Sequence, residues 1–361
     1  MLGENISYFY DINKKGEPSF YFSYFNDIGS RSATNQVLAA TLGVFTFCSM
    51  LENCFLLALI LFHKSLYTVT NMLILNTSVV SVLLLMPSAV ACYTMTQRQW
   101  TMGTTFCKIS AAVMLVSAFV LIWTMAVIAY DRYRHICHAS KNQITLKMCM
   151  IVNCVMWLCG CLMTVSSIAT IHTKPVTLGD EVYTICTKET STTSRLLILV
   201  ALLLGFLAPL TIIMVCYRKV LKKIAHSHAR VSKLKSALTN SGIQSISATM
   251  AEDMSFQKNK VNPEEQSAAV QKRVYRYRLV TKKLIALVGI FITMWLPGVL
   301  FMGWLQVDTM VGTFILRAWM MHLVMLLLNV NACITPMFYV VADREMKQIL
   351  RRKMRCQSES F

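Results

Sequence analysis

Seven apolar stretches dominate this chain, near Val37 to Phe62, Met72 to Met95, Ile109 to Tyr130, Met148 to Ile171, Leu196 to Tyr217, Leu284 to Leu305 and Val311 to Val341. Each reaches the roughly 20 residues that a helix needs to cross a bilayer core. In hydrocarbon every backbone polar group must be satisfied within the protein, which leaves helices or closed barrels, and stretches this long suit helices. With 55% hydrophobic and 14% charged residues and a mean hydropathy of +0.53, the 361-residue chain is too apolar for an ordinary soluble domain. The expected fold class is an all-α membrane protein: a seven-transmembrane helix bundle with a short amphipathic membrane-surface helix after the seventh span.

Charge placement orients the bundle. With the N-terminus outside, the inner pieces hold 26 of the 35 Lys/Arg and eight acids, so the inner side carries the whole formal charge of +18. Basic residues near span ends follow the positive-inside rule. The charge therefore reads as topology with an affinity for anionic inner-leaflet lipid, and nucleic-acid binding is not needed to explain it. No basic n-region with an apolar core precedes the first span, which is expected to act as the anchor. Asn5-Ile6-Ser7 fits the N-glycosylation sequon on that outer tail. The expected location is the plasma membrane, with the C-terminus in the cytoplasm.

Thirteen cysteines form no disulfide framework, because most lie inside spans as small packing residues. The cluster Cys149, Cys154, Cys159 and Cys161 has no compact CxxC pair, and no metal site is expected. Cys107, at the outer end of span three, and Cys186, between spans four and five, fall in the oxidising compartment and are expected to pair.

The chain divides into an outer tail (1–36), the membrane domain (37–341) and a cytoplasmic end (342–361). The Ser, Lys, Asn and Gln-rich insertion at about 226–275 has no sustained apolar stripe and reads as a flexible cytoplasmic loop. The basic flanks Arg218 to Lys235 and Gln271 to Lys283 suit helical extensions of spans five and six. From Asp343 to Met354, Met346, Ile349 and Leu350 share one face, with Arg344, Lys347, Arg351 and Lys353 elsewhere. Such a helix lies on the membrane, and Cys356 beyond it is a candidate for palmitoylation.

At the inner end of span three stands Asp131-Arg132-Tyr133. Ionisable groups at membrane depth are costly and face protein, which suggests a paired switch element. The alternative is a pair of anchors snorkelling to headgroups.

The marks of one family run through the spans: Asn53; Cys107 and Asp131-Arg132-Tyr133; Trp157; Pro209 and Tyr217; Phe291 and Trp295-Leu296-Pro297; Thr335-Pro336-Met337-Phe338-Tyr339. With these the chain resembles a rhodopsin-like (class A) G-protein-coupled receptor over nearly its whole length. Tyr133-Arg134-His135-Ile136-Cys137-His138 and Trp100-Thr101-Met102-Gly103 resemble the melatonin-receptor-like branch locally, although spans two and seven depart from it. The resemblance implies that Ile122, Pro209 and Phe291 form a trio that repacks on activation, with Trp295 beneath a ligand site. Trp295 also reads simply as a large core aromatic. It further implies that Tyr217 and Tyr339 swing towards Arg132 when span six opens a cleft for a heterotrimeric G protein, with arrestin and receptor kinases as further partners. Pro209, Pro297 and Pro336 each remove a helix hydrogen bond and create a kink.

The departures are equally specific. Ser81 stands where the family has an Asp in span two, Thr335 where span seven has Asn or Asp, and Leu121 at a usually polar position of span three. A sodium ion needs a carboxylate and several oxygens, so weak sodium regulation is expected. Glu52, beside Asn53, is an unexpected membrane acid, read as protonated or hydrogen-bonded to Asn53. The inner end of span six reads Arg273-Val274-Tyr275-Arg276-Tyr277-Arg278, with no acid for Arg132, so raised basal activity is expected and Asp131 is its expected partner.

By the same resemblance the ligand cavity is lined by Met114, Leu115, Ala118, Ala201, Gly205, Gly298, Val299, Met302, Met325 and Asn329, with His322 nearer the mouth. It is apolar with few anchors and suits a lipidic or indole-like ligand; the alternative is an ordinary core. Met114 replaces the acid an amine receptor needs, and span seven lacks a lysine for retinal. No cofactor is expected, and none of the seven histidines has a nucleophile or metal partner, so no enzyme is expected. A non-coupling seven-span scaffold or decoy is the rival reading.

Overall fold

The computed structural model describes residues 33–97, 99–138, 143–178, 181–188, 192–240, 285–301, 303–304, 314–342 and 346–352. Helix α1 (Ala33–Phe62) passes through a short 3-10 turn, Lys64–Leu66, into α2 (Val69–Gln97), followed by α3 (Gly103–Cys137) and α4 (Leu146–Ala169). An antiparallel hairpin of β1 (Ile171–Leu178) and β2 (Glu181–Lys188) comes next. Helix α5 has two α-helical segments, Thr192–Leu202 and Ala208–Asn240, joined by a π-helical turn at Leu203–Leu207. Then come α6 (Ile285–Phe301), α7 (Phe314–Ala342) and α8 at 346–352. Among the described residues six helices are long and apolar enough to cross a membrane, and α6 is a shorter apolar helix. The long second segment of α5 takes in the helical extension expected over Arg218 to Lys235 and runs on to Asn240, into the stretch read as loop; Lys, Arg, Ala and Leu there are strong helix formers.

Apolar exposure marks the lipid-facing side of these helices. On α4, Ile151, Val155, Leu158, Leu162 and Val165 are exposed, as a hydrocarbon solvent allows. Cys154 and Cys161 lie on the exposed side as well, Cys159 is half-buried and Cys149 is buried.

The chain forms two compact units. The first takes in the described residues up to Ile128, Ile144–Thr211 and those from Leu287 onwards. Leu56, Ile60, Leu66, Ile74, Leu287, Tyr339 and Met346 form one of its buried clusters, against which Ile349 and Leu350 pack. The apolar face of α8 is thereby docked, while Lys347, Arg351 and Arg352 stay exposed. The second unit comprises Ala129–Gln143 and Ile212–Ala286, with Asp131, Ile213, Cys216, Tyr217, Val220 and Ile224 buried.

Proline lies within four of the described helices, Pro297 in α6 among them. Pro87 and Pro336 lie inside α2 and α7. Before Pro209 the Ala208 amide donates to the Leu203 carbonyl, five residues back. Pro209 has no N–H and its ring crowds the carbonyl four residues earlier, at Gly205, so the widened turn relieves that clash.

Candidate functional site

In the first unit, three helices are tied by one buried chain. The Trp157 indole N–H donates to the Asn76 side-chain carbonyl at 3.0 Å, and Asn76 donates to the Thr124 hydroxyl at 2.8 Å. The Thr124 hydroxyl donates in turn to the Val120 carbonyl at 2.7 Å. The sequence reading singled out Trp157 and missed Asn76 and Thr124, whose polarity inside spans two and three was the available signal.

A second seam joins α1 to α7. Asn53 donates to the Ser49 carbonyl at 2.8 Å and to the Ala332 carbonyl at 3.0 Å. Both amide hydrogens are thus engaged, and the expected Glu52–Asn53 hydrogen bond is absent; Glu52 Oε2 is buried without a partner among the described residues. Thr335 donates to the Asn331 carbonyl at 2.7 Å, and Ser81 and Leu121 are buried. Tyr339 donates to the Met125 sulfur at 3.9 Å.

The outer rim is built on the disulfide between Cys107 and Cys186, which ties the start of α3 to β2. Trp100, Ala111 and Ile171 pack around it. Gly103 takes φ +75°, a left-handed conformation that favours glycine, and its carbonyl accepts the Trp100 indole N–H at 2.8 Å. This accounts physically for Trp100-Thr101-Met102-Gly103. The hairpin itself was not expected, although Gly179-Asp180 between two runs rich in β-branched residues is a hairpin signal.

Beneath the hairpin a cavity of about 230 Å³ opens within the first unit. Met114, Leu115, Ala118, Ala201, Gly205, Gly298 and Val299, all expected there, line it. So do Lys188, Ser167, Thr164, Ile122 and Trp295, of which Lys188, Ser167 and Thr164 were not expected in the lining. Met325 and Asn329 are not in the lining. Asn329 instead accepts from Thr46 at 2.9 Å and donates to Ser88 at 3.0 Å, so its amide links α1, α2 and α7. Met302 and the His322 side chain lie outside the described residues, as do Asn5 and Cys356. Burial holds the Lys188 ammonium below the usual lysine range, and it donates to the Ser167 hydroxyl at 3.4 Å.

Of the residues expected to repack, Ile122 lines this cavity, and Phe291 reaches it through Trp295. Ile122, Pro209 and Phe291 are each buried, and Phe291 stacks on Trp295 with centroids 5.5 Å apart. Pro336 is buried and Pro297 half-buried.

In the second unit, Asp131 is 1% exposed and its carboxylate lies 3.9 Å from Arg132 Nε. A nearer partner was missed: His135 Nδ1 stands 3.3 Å from the other carboxylate oxygen and 2.9 Å from the Asp131 carbonyl. The i, i+4 spacing of Asp131 and His135 was the available signal. The Tyr133 hydroxyl meets His138 Nε2 at 2.9 Å, and Lys219 lies 5.4 Å over the Tyr133 ring. Tyr217 is buried in this unit.

A family model described as "7 transmembrane receptor (rhodopsin family)" matches residues 52–339. The tachykinin-like peptides receptor 86C of Drosophila melanogaster is 23% identical over 333 residues, covering 89% of this chain and 59% of that protein. The C-X-C chemokine receptor type 2 of Mus musculus is 28% identical over 188 residues, about half of each chain. The alpha-1D adrenergic receptor of Mus musculus is 24% identical over 345 residues, covering 90% and 58%. This chain thus spans little more than half the length of these curated relatives. The crystal structure of squid rhodopsin superposes with a TM-score of 0.68 at 19% identity, covering 90% of this chain and 86% of that one, which establishes the fold.

Proposed function

Because this chain belongs to the rhodopsin family of seven-transmembrane receptors, we propose that it carries an extracellular or membrane-borne signal to heterotrimeric G proteins through Asp131, Arg132 and Tyr133. One observation supports this most: Asp131 is almost wholly buried, yet its Arg132 partner is 23% exposed and 3.9 Å away. A buried acid beside a part-exposed arginine at the inner end of a membrane-spanning helix suits a switch in which the arginine has a second arrangement to adopt. In that arrangement Tyr217, buried in the same unit, receives Arg132. The protein is a multi-pass membrane protein with its N-terminus outside and its C-terminus in the cytoplasm of the plasma membrane. Arrestin and receptor kinases are further partners, and Asn5 and Cys356 are the sites of glycosylation and palmitoylation.

Two restraints on this receptor are weak. The basic run from Arg273 to Arg278 offers Arg132 no acid, so basal activity is raised. Ser81, Leu121 and Thr335 supply no carboxylate to a sodium site, so sodium regulation is slight. The cavity under the hairpin is the ligand site.

The test is a panel of G proteins co-expressed in cells with the wild type or Arg132→Ala, at matched surface expression. Ligand-free nucleotide exchange above background by the wild type, lost in Arg132→Ala, is the expected result. A wild type silent on every G protein, or a variant equal to it, would leave the scaffold reading in its place.

A further inference from the structure

The cavity carries chemistry that specifies its occupant more narrowly than its apolar walls do. Among the described residues that line it, Lys188 alone is charged, and Ser167, which also lines the cavity, accepts from its ammonium at 3.4 Å. Lys188 ends β2, two residues after Cys186, so the disulfide to α3 fixes the strand that presents it. An ammonium ligand would meet a like charge there, and a carboxylate would gain a charge-assisted hydrogen bond.

Trp295 supplies a second polar feature. It lines the same cavity, is 7% exposed, and its indole N–H is buried with no hydrogen-bond partner among the described residues. A buried donor left unmade is costly, and the indole can only donate. An acceptor on an occupant would satisfy it.

The cavity follows α3 from Ala111, beside the hairpin, to Ile122. At the rise of an α-helix those two positions lie about 16 Å apart. The volume of about 230 Å³ falls just under the roughly 300–1,000 Å³ of sites for drug-sized ligands. A slender chain suits such a space better than a fused-ring body.

We propose that this cavity binds a small anionic amphiphile with its carboxylate at Lys188 and Ser167, an unbranched apolar body along α3, and a hydrogen-bond acceptor at the far end against the Trp295 indole. This rests on the reading of the cavity as the ligand site and selects the acid over the amine and the slim chain over the indole.

The experiment is direct binding to the purified full-length receptor in lipid nanodiscs, with decanoate, ω-hydroxydecanoate, decanol and decylamine as probes. The expected order is ω-hydroxydecanoate, then decanoate, then decanol, with no binding of decylamine. Lys188→Gln is expected to weaken decanoate by at least about tenfold, the scale of a hydrogen bond to a charged group, and to leave decanol unchanged. Lys188→Arg retains decanoate binding, which separates loss of charge from loss of fold. Trp295→Phe keeps the ring and removes the donor, so the advantage of the ω-hydroxyl disappears while decanoate still binds.

Decanol or decylamine binding as tightly as decanoate, or indifference to Lys188→Gln, would overturn the headgroup assignment. An ω-hydroxyl advantage that survives Trp295→Phe would overturn the far contact. No probe binding to a receptor that still activates a G protein overturns the ligand class alone. Binding in the expected order by a protein that activates none overturns the receptor reading and leaves the ligand assignment standing.

Discussion

Asn53 donates at 3.0 Å to the carbonyl of Ala332, the carbonyl that Pro336, four residues further along α7, has no N–H to cap. A proline in a helix interior orphans the carbonyl one turn back, and here a side chain from α1 takes the missing donor's place. Asn53→Ala therefore leaves a buried carbonyl unsatisfied, at a cost of about 1–3 kcal/mol. Pro336→Ala restores the intrahelical donor, so the same Asn53→Ala change is expected to cost clearly less in that background. Thermal melts of the four purified proteins form the cycle; strictly additive losses would count against the coupling.

The Cys107–Cys186 bridge ties β2, and with it Lys188, to α3. Cys186→Ser is expected to lower stability by about 2–5 kcal/mol, the scale of a native disulfide. Decanoate binding should fall along with it. Melting temperature and probe affinity measured on the same sample check both, and unchanged affinity in a destabilised protein would separate the cavity from the hairpin.

His135 gives Asp131 a partner nearer than Arg132. Its side chain is 44% exposed, so solvent screening holds the pair to about 0–1 kcal/mol. Asp131→Ala and His135→Ala are each expected to raise ligand-free exchange by less than about fivefold. The double variant should do no more than Asp131→Ala alone. Effects that multiply would show that His135 acts elsewhere.

Sodium should leave ligand-free exchange of the wild type unchanged. The Thr335 hydroxyl is already engaged by the Asn331 carbonyl, and Leu121 brings carbon where an oxygen is needed. Ser81→Asp together with Leu121→Ser supplies a carboxylate and an oxygen, and exchange should then fall as sodium is added to membranes. A large sodium-dependent fall in the wild type would contradict the reading of this cavity.

Burial holds the Lys188 ammonium below the usual lysine range. The unfolded chain keeps that proton to higher pH, so between the two pKa values unfolding takes up a proton and stability rises with pH. A bound carboxylate favours the charged form and reverses the shift, so decanoate affinity should weaken as pH rises through the folded pKa. Melts across alkaline pH, wild type against Lys188→Gln, check the slope. Identical slopes would remove Lys188 as its source.

The spans were legible in the sequence because burial in lipid demands long apolar runs, and the cavity walls on α3 followed from the family pattern. Asn329 was misplaced because a buried amide suits a helix seam as well as a ligand, and only three-dimensional neighbours separate the two. Thr46 and Ser88, which claim it, are ordinary helix residues in sequence. Lys188 was not expected in the lining because the hairpin that brings it to the cavity is specified by pairing across strands, not by local composition. His135 was missed because an i, i+4 histidine at a helix end is as readily solvated as paired, and only the burial of Asp131 separates the two.

The π-helical turn at Leu203–Leu207 inserts the equivalent of one residue into α5 just before Pro209. One residue of an α-helix is about 100° of rotation. Side chains before the turn are therefore rotated by about that angle from where a regular helix running into Pro209 would carry them. Ala201 and Leu202, before the turn, and Gly205 and Phe206, within it, all line the cavity. The widened turn thus lets a longer stretch of α5 face inward than one regular helical stripe would.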